Sequence, residues 1–87
     1  MTNAIRILGL DPGLRHTGWG IITITGARLS HVAHGVISPD DKAPFAIRLL
    51  TLFDAITEVI AQYDPDEAAV EETFLNSNAA STLKLGH

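Results

Sequence analysis

The alternation of apolar and polar residues divides the chain into short segments of different periodicity. Residues 5–10 (IRILGL) are apolar on both faces except at Arg6, which is typical of a central strand covered on both sides. The segment is followed by Asp11-Pro12-Gly13, a combination typical of a turn. The sequence therefore predicts a buried first strand that ends next to a carboxylate.

Two further strands are predicted after this turn. Residues 18–25 (GWGIITIT) are rich in isoleucine and threonine, which favour extended structure, and residues 29–37 form a third run of this kind. The link Gly26-Ala27-Arg28 is short and contains glycine, which favours a hairpin. Strands one to three are thus expected to form an antiparallel meander.

A helix is predicted after the polar residues 38–43. Pro44 suits the first turn of a helix, because N–H groups there have no carbonyl partner within the helix and proline lacks only such a group. Asp64-Pro65-Asp66 ends the helix, because a residue before proline disfavours helical geometry. Between these limits the apolar residues recur at steps of three and four, as on an amphipathic helix: Phe45, Leu49, Leu52, Ile56, Val59, Ile60 and Tyr63.

A fourth strand and a second helix are predicted towards the end of the sequence. Residues 68–71 (AAVE) form a short apolar run that ends in an acid. Residues 76–78 (NSN) offer N-cap side chains for a helix over residues 79–85. This helix begins an apolar face with nothing after it to pack against. We therefore expect the chain to be a fragment of a longer domain.

The order of these elements predicts an α/β fold. A helix between strands three and four allows a right-handed crossover, which places strand four parallel to a neighbour. The natural neighbour is strand one, the most apolar. The expected architecture is a mixed sheet, an antiparallel three-strand meander plus a parallel fourth strand, with flanking helices.

Composition and charge narrow the class of protein. With 87 residues, 46% of them hydrophobic and none a cysteine, the chain suits one small domain without disulfides or thiolate zinc sites. No signal peptide is recognisable, and no apolar stretch approaches the ~20 residues of a membrane span, so we expect a cytoplasmic protein with no membrane contact. The net charge of −4 argues against nucleic-acid binding, unless a basic surface lies beyond residue 87.

Two carboxylates are the main candidates for chemistry. Asp11 follows strand one and Glu71 ends strand four, so parallel pairing of these strands would place both acids at one edge of the sheet. Two carboxylates this close repel each other unless a cation lies between them, and hard oxygen ligands favour magnesium or manganese. Alternatively, Asp11 only opens a turn and Glu71 is a solvated strand end.

The chain resembles a known family along most of its length. Residues 7–13 (ILGLDPG), followed by residues 17–20 (TGWG), are similar to the opening of the RuvC family of Holliday-junction resolvases. Residues 69–74 (AVEETF) resemble the second acidic motif of that family. Asn78-Ala79 and residues 83–86 (LKLG) are similar to the helix that follows it. The combination is specific because the motifs occur in the same order at compatible spacing.

The resemblance implies an RNase H-like, magnesium-dependent endonuclease, with manganese as a possible substitute. It further implies a homodimer that cuts four-way DNA junctions in recombination and repair, together with branch-migration motor proteins. Asp11 and Glu71 would be catalytic metal ligands. Phe74 would stack on an unpaired base or else cap the sheet, and Asn78 and Lys84 would lie near DNA, although Lys84 could equally be a solvated charge. The family completes its site with C-terminal residues, so we expect no cleavage by this chain alone.

The same residues also allow other interpretations. An actin or sugar-kinase type ATP-binding fold also begins with a strand, an acidic-glycine turn and a hairpin, but usually has Thr or Ser soon after the glycine, where Leu14-Arg15-His16 stands. A related nuclease acting on RNA and a non-catalytic binding module are further alternatives. His31 and His34 lie three apart on a predicted strand, so they are expected on opposite faces and as a poor metal pair.

Overall fold

The structure, a computed structural model, describes residues 3–13 and 15–71 and the backbone of residues 80–84. Its elements in chain order are β1 (Ala4–Pro12), β2 (Thr17–Thr25), β3 (Arg28–Ile37), α1 (Phe45–Tyr63), β4 (Glu67–Glu71) and β5 (Ala80–Lys84). The strands form one sheet in the order β3-β2-β1-β4-β5. β1, β2 and β3 pair antiparallel, and β4 lies parallel to β1. The predicted meander with a parallel fourth strand is confirmed.

The hairpin between β2 and β3 has a two-residue turn, Gly26-Ala27, since Thr25 pairs with Arg28. Gly26 has φ of 61°, whereas no described non-glycine residue except Asp64 has a positive φ. A positive φ at the first turn residue alone corresponds to a type II′ turn, whose twist matches that of the flanking strands. Glycine at position 26 therefore sets the register of the hairpin.

Proline residues mark both ends of α1. Pro44 is the N-cap, one position before the predicted first turn, and its carbonyl accepts hydrogen bonds from the N–H groups of Ile47 and Arg48, both at 3.0 Å. At the other end, Asp64 adopts a left-handed conformation and donates its N–H to the Ile60 carbonyl at 2.8 Å. Pro65 follows and prevents another helical turn.

The hydrophobic core lies between α1 and one face of the sheet. Leu8 of β1 and Ile21 of β2 are fully buried, and Ala68 of β4 and Val59 of α1 complete the cluster. Partly buried residues pack around it: Leu10, Trp19, Ile60 and Tyr63. Because side chains alternate along a strand, the neighbours of these core residues point to the other face, which α1 does not cover.

The helix predicted over residues 79–85 is wrong where the structure describes it. Residues 80–84 form β5, antiparallel to β4, with Ala80 opposite Glu71 and Lys84 opposite Glu67. Pairing gives the outer N–H and C=O groups of β4 hydrogen-bond partners, which strand backbones need. Ser81 and Thr82 have low helix propensity, so their preference for a helix opposes strand formation only weakly. The predicted N-cap residues lie outside the described residues.

None of the helices in the described part of the chain is long and apolar enough to cross a membrane.

Candidate active site

The parallel register of β1 and β4 brings Asp11 and Glu71 next to each other. The pairs run from Ile7 opposite Glu67 to Leu10 opposite Val70, so the next position on each strand is Asp11 on β1 and Glu71 on β4. Neighbouring strands lie about 4.8 Å apart, within reach of two carboxylates that share a cation. Both residues are exposed to solvent.

The two acids also lie on the same face of the sheet. Leu8 and Ala68 are directly paired and buried beneath α1. Asp11 and Glu71 each follow them by three residues, an odd number, so both project from the opposite, helix-free face. We call this surface the open face; it carries the alternate positions of β1 through β4 that point away from α1.

Residues without bulky side chains surround Asp11 on the open face. Gly18 is its partner on β2, and a Cβ built there would lie 3.9 Å from the Asp11 Cβ. Gly9, Gly20 and Ala69 occupy neighbouring positions of the same face. A larger side chain at position 18 would stand beside the Asp11 carboxylate. Among the described residues, the neighbours of Asp11 on this face therefore leave its carboxylate accessible.

The donor set fits a hard divalent cation with an incomplete protein shell. Within residues 3–13 and 15–71, no cluster of three or more histidine, cysteine or acidic side chains could hold a metal ion. Mg²⁺ commonly keeps several waters and is held by one or two carboxylates together with substrate phosphates. Asp11 and Glu71 provide such a pair, and the exposed position leaves room for waters and phosphate.

The loop after Asp11 and the start of α1 bring two arginines near this end of the sheet, and neither was among the predicted site residues. Gly13 donates its N–H to the His16 carbonyl at 2.8 Å, and a Cβ at Gly13 would lie only 2.7 Å from that oxygen. Arg15 in this loop and Arg48 of α1 line a cavity of about 170 Å³. The signal available in the sequence was an arginine two residues after an acid-proline-glycine turn.

The remaining predicted nucleic-acid contacts are placed only in part. Phe74 and Asn78 lie outside the described residues. Lys84 is described as backbone, opposite Glu67 at the start of β4. Glu71 is four residues further along that strand, or about 13 Å at the usual strand rise. The backbone therefore places Lys84 away from the two acids.

The expectation that His31 and His34 lie on opposite faces of the strand is wrong. Ile22 pairs with His31 and Ile21 with Ala33, so Val32 is an extra residue in β3, a β-bulge. The bulge shifts the alternation by one, and both histidines lie on the open face. His31 Nε2 and His34 Nδ1 are 2.9 Å apart and share a hydrogen bond.

Comparison with known proteins gives consistent matches over this chain. Residues 7–87 match the sequence model of the family described as "Crossover junction endodeoxyribonuclease RuvC". A protein of that name from Caulobacter vibrioides is 71% identical over 82 residues, which are 94% of this chain and 48% of that protein. Another, from Caulobacter sp. strain K31, is 70% identical over 95% of this chain and 49% of its own length. The chain thus spans about half the length of these relatives.

Solved structures agree with the fold. The structure titled "T. thermophilus RuvC in complex with Holliday junction substrate" has a TM-score of 0.72 and 24% sequence identity, covering 83% of this chain and 45% of that one. At this identity the likeness shows the fold alone. The mixed sheet with one parallel pair is that of an RNase H-like fold. Because the family's sequence model matches nearly the whole chain, this chain belongs to the RuvC family.

Proposed function

We propose that the whole protein is a metal-dependent endonuclease that resolves four-way DNA junctions, and that Asp11 and Glu71 are metal ligands in its catalytic site. One observation carries the proposal: the parallel register places these acids on adjacent strands, at the same end and on the same face. Their separation along the sequence is 60 residues. If Asp11 only opened a turn and Glu71 were only a solvated strand end, nothing would require the two acids to lie next to each other.

The chain's own residues would hold the ion and admit the phosphate. Asp11 and Glu71 would supply carboxylate oxygens to Mg²⁺, or to Mn²⁺, which prefers similar ligands. Bound there, the ion would polarise the scissile phosphodiester and assist formation of the attacking hydroxide. Gly9 and Gly18 beside Asp11 leave this part of the open face without bulky side chains next to the carboxylate. The exposed carboxylates leave the remaining coordination positions to water and substrate.

The charge of this chain does not by itself favour a polyanionic substrate. The chain carries a net charge of −4, so its overall field does not attract DNA. Arg15 and Arg48 line a cavity between α1 and the loop that follows Asp11, on the side of the sheet that α1 covers, whereas both acids project from the open face. The related protein from T. thermophilus is titled as a complex with a Holliday junction substrate. A junction is therefore the substrate we propose, over RNA or ATP.

The domain organisation, oligomeric state, partners and DNA contacts of the protein are part of the same proposal. We take residues 1–87 as the N-terminal part of one nuclease domain that acts as a cytoplasmic homodimer, with branch-migration motor proteins as partners. Phe74, Asn78 and Lys84 are proposed DNA contacts on family resemblance. A homodimer suits the substrate because a four-way junction presents two symmetric strands to be cut, and closed two-fold symmetry is the commonest form of oligomer.

A metal titration tests the site directly. Mg²⁺ or Mn²⁺ is titrated calorimetrically into the chain and into Asp11→Asn and Glu71→Gln. We expect each substitution to weaken binding by at least about tenfold, since each removes one of two protein ligands. Asp54→Asn, on the exposed side of α1, serves as the matched control and should bind as the wild type does. Equal weakening by all three substitutions would show that general charge, not a shared site, holds the ion.

A chimera tests the activity. Residues 1–87 are joined to the remaining half of the Caulobacter vibrioides relative and assayed on a synthetic four-way junction with Mg²⁺. We expect cleavage, and a loss of about a thousandfold in rate for Asp11→Asn or Glu71→Gln, because metal stabilisation of the transition state is worth several kcal/mol. Asp54→Asn should retain the rate. A folded chimera that leaves junctions intact but hydrolyses ATP or cuts RNA would overturn the proposal in favour of those alternatives.

A further inference from the structure

The histidine pair on β3 is a second cluster of potential metal ligands, separate from the two acids. His31 Nε2 and His34 Nδ1 lie 2.9 Å apart, and the ring centroids are separated by 5.1 Å with an interplanar angle of 57°. Both side chains are exposed. We propose that these two imidazoles form a surface site for a late transition-metal ion, with Cu²⁺ as the best fit and Ni²⁺ next.

The backbone holds the pair together. Residues three apart on a regular strand point to opposite faces, so this pairing depends on the bulge at Val32. His31 lies opposite Ile22 and His34 opposite Gly20. The strand register, and not side-chain flexibility alone, therefore brings the two nitrogens to the same place.

The separation of the nitrogens selects the metal. Two nitrogens 2.9 Å apart, each about 2.0 Å from an ion, subtend roughly 90° at it. That is the angle between adjacent ligands in square-planar or octahedral coordination, whereas a tetrahedral zinc site needs a wider one. Imidazole nitrogens suit copper and nickel, and affinity rises towards Cu²⁺ along the first-row series. Waters would complete the coordination, as both rings face solvent.

Occupation of the site needs only a proton shift within one ring. In the hydrogen bond between the rings, one nitrogen carries the shared proton and the other accepts it. When the donor ring moves its proton to its other nitrogen, both facing nitrogens present lone pairs. Small rotations of the exposed side chains then aim those lone pairs at one ion. No proton has to leave the protein, and no oxidant or reductant is required.

The site is distinct from the proposed nuclease centre. His34 pairs with Gly20, and Gly20 pairs with Gly9 of β1, so two strand spacings, about 10 Å, separate His34 from β1. Nitrogen ligands and hard carboxylate ligands also prefer different ions. The inference therefore does not rest on the proposed function.

Copper binding to the 87-residue chain tests the proposal. Cu²⁺ is titrated calorimetrically against a weak competing chelator, and the bound form is examined by pulsed EPR, which counts coordinated imidazole nitrogens. We expect one ion per chain and two imidazoles. His31→Gln and His34→Gln should each weaken binding by at least about tenfold, because a ligand is lost, and should leave one imidazole.

Two controls separate this pair from other ligands. His16→Gln removes a histidine that instead lies 2.7 Å from the Ser38 hydroxyl, and Asp11→Asn removes a proposed Mg²⁺ ligand; both should keep the wild-type affinity and two imidazoles. Circular dichroism confirms that each variant is folded. A single imidazole in the wild-type spectrum, or equal affinity for the wild type and His31→Gln, His34→Gln variants, would overturn the proposal whether or not the nuclease assignment holds.

Discussion

The two faces of the sheet are built from alternate residues of the same strands, and they have different tasks. On the helix-covered face, Leu8 and Ile21 are fully buried and pack with Val59 and Ala68. On the open face, the same strands carry the two acids, the glycines around Asp11 and the histidine pair. The side chains that stabilise the fold interlock beneath α1. The potential ligands lie on the open face, where side chains are not packed against a helix.

The comparison teaches that one substitution has different consequences on the two faces. Beneath α1, an added methyl group collides with closely packed neighbours and a removed one leaves a cavity. On the open face, either change takes place next to solvent. Equivalent changes on the two faces, or at their boundary, should therefore differ in their effect on stability.

The largest effect is expected for a cavity beneath α1. Leu8 has no exposed surface, so Leu8→Ala should lower the free energy of unfolding by about 3 kcal/mol. Ile5, on the same strand but the open face, is 40% exposed, and Ile5→Ala should cost about 1 kcal/mol or less. Urea denaturation of both variants measures the difference. Equal losses would show that the open face is as closely packed as the covered one.

The second effect comes from adding a methyl group. A Cβ at Gly35 would lie 2.8 Å from the Trp19 indole, which is itself held against Tyr63 with ring centroids 5.9 Å apart. Gly35→Ala should therefore destabilise the fold by about 2 kcal/mol through overpacking. At Gly20, on the open face, the nearest atom to such a Cβ is the Ala33 carbonyl oxygen at 3.9 Å.

Gly20→Ala is the matched control for Gly35→Ala. Glycine within a strand is less favourable than alanine by roughly 0.5–1 kcal/mol, so this change should leave stability unchanged or raise it slightly. Thermal unfolding of the two variants, followed by tryptophan fluorescence, reports both the stability and the position of the indole. A loss of stability in Gly20→Ala as large as that in Gly35→Ala would contradict the difference between the two faces.

The third effect concerns the boundary between α1 and the sheet. The Arg6 N–H donates to an Asp66 carboxylate oxygen at 2.9 Å, and the Asp66 N–H donates to the Arg6 carbonyl at 2.8 Å. Asp66→Ala removes the first of these bonds and should cost about 1 kcal/mol. Asp54→Ala, which makes the same change in charge on α1, should cost less. Denaturant unfolding of both variants distinguishes a specific bond from a general charge effect.

The smallest effect is expected to have the opposite sign. Asp11 and Glu71 are like charges on adjacent strands, which is destabilising by a few tenths of a kcal/mol. Glu71→Gln should therefore raise stability slightly without a divalent cation. Added Mg²⁺ should stabilise the wild type but not this variant, because binding to the folded state alone shifts the unfolding equilibrium. Unfolding midpoints with and without Mg²⁺ test this, and an equal Mg²⁺ effect on both proteins would argue against a shared site.

Much of the fold could be predicted because its signals are local. The bounds of β1, β2, β3, α1 and β4 agree with the predicted segments to within about two residues, a common uncertainty at the ends of elements. The meander follows from a short glycine turn, and the parallel fourth strand follows from the helix before it. The placement of both acids at one edge also followed, because a strand's end is set by its own sequence.

Non-local pairing decided the features that were missed. Residues 80–84 pair with β4 as β5, although their flanking polar residues favour a helix cap. Arg6 interrupts an apolar strand because its guanidinium donates to the Tyr63 carbonyl at 2.8 Å, at the end of α1 where the helix dipole favours a cation. The residues next to Arg6 and to β5 in the sequence do not indicate these distant partners, the Tyr63 carbonyl and β4.

The amino-acid pattern alone was enough to predict the strand and helix periodicities, the turn at Gly26, the ends of α1 and the two acids after their strands. The face that each β3 residue occupies beyond the bulge, and so the contact between His31 and His34, depended on the pairing of β3 with β2. The physical reason is that helix and turn signals act over a few residues. Strand register and bulges depend on hydrogen bonds and packing between segments far apart in the chain.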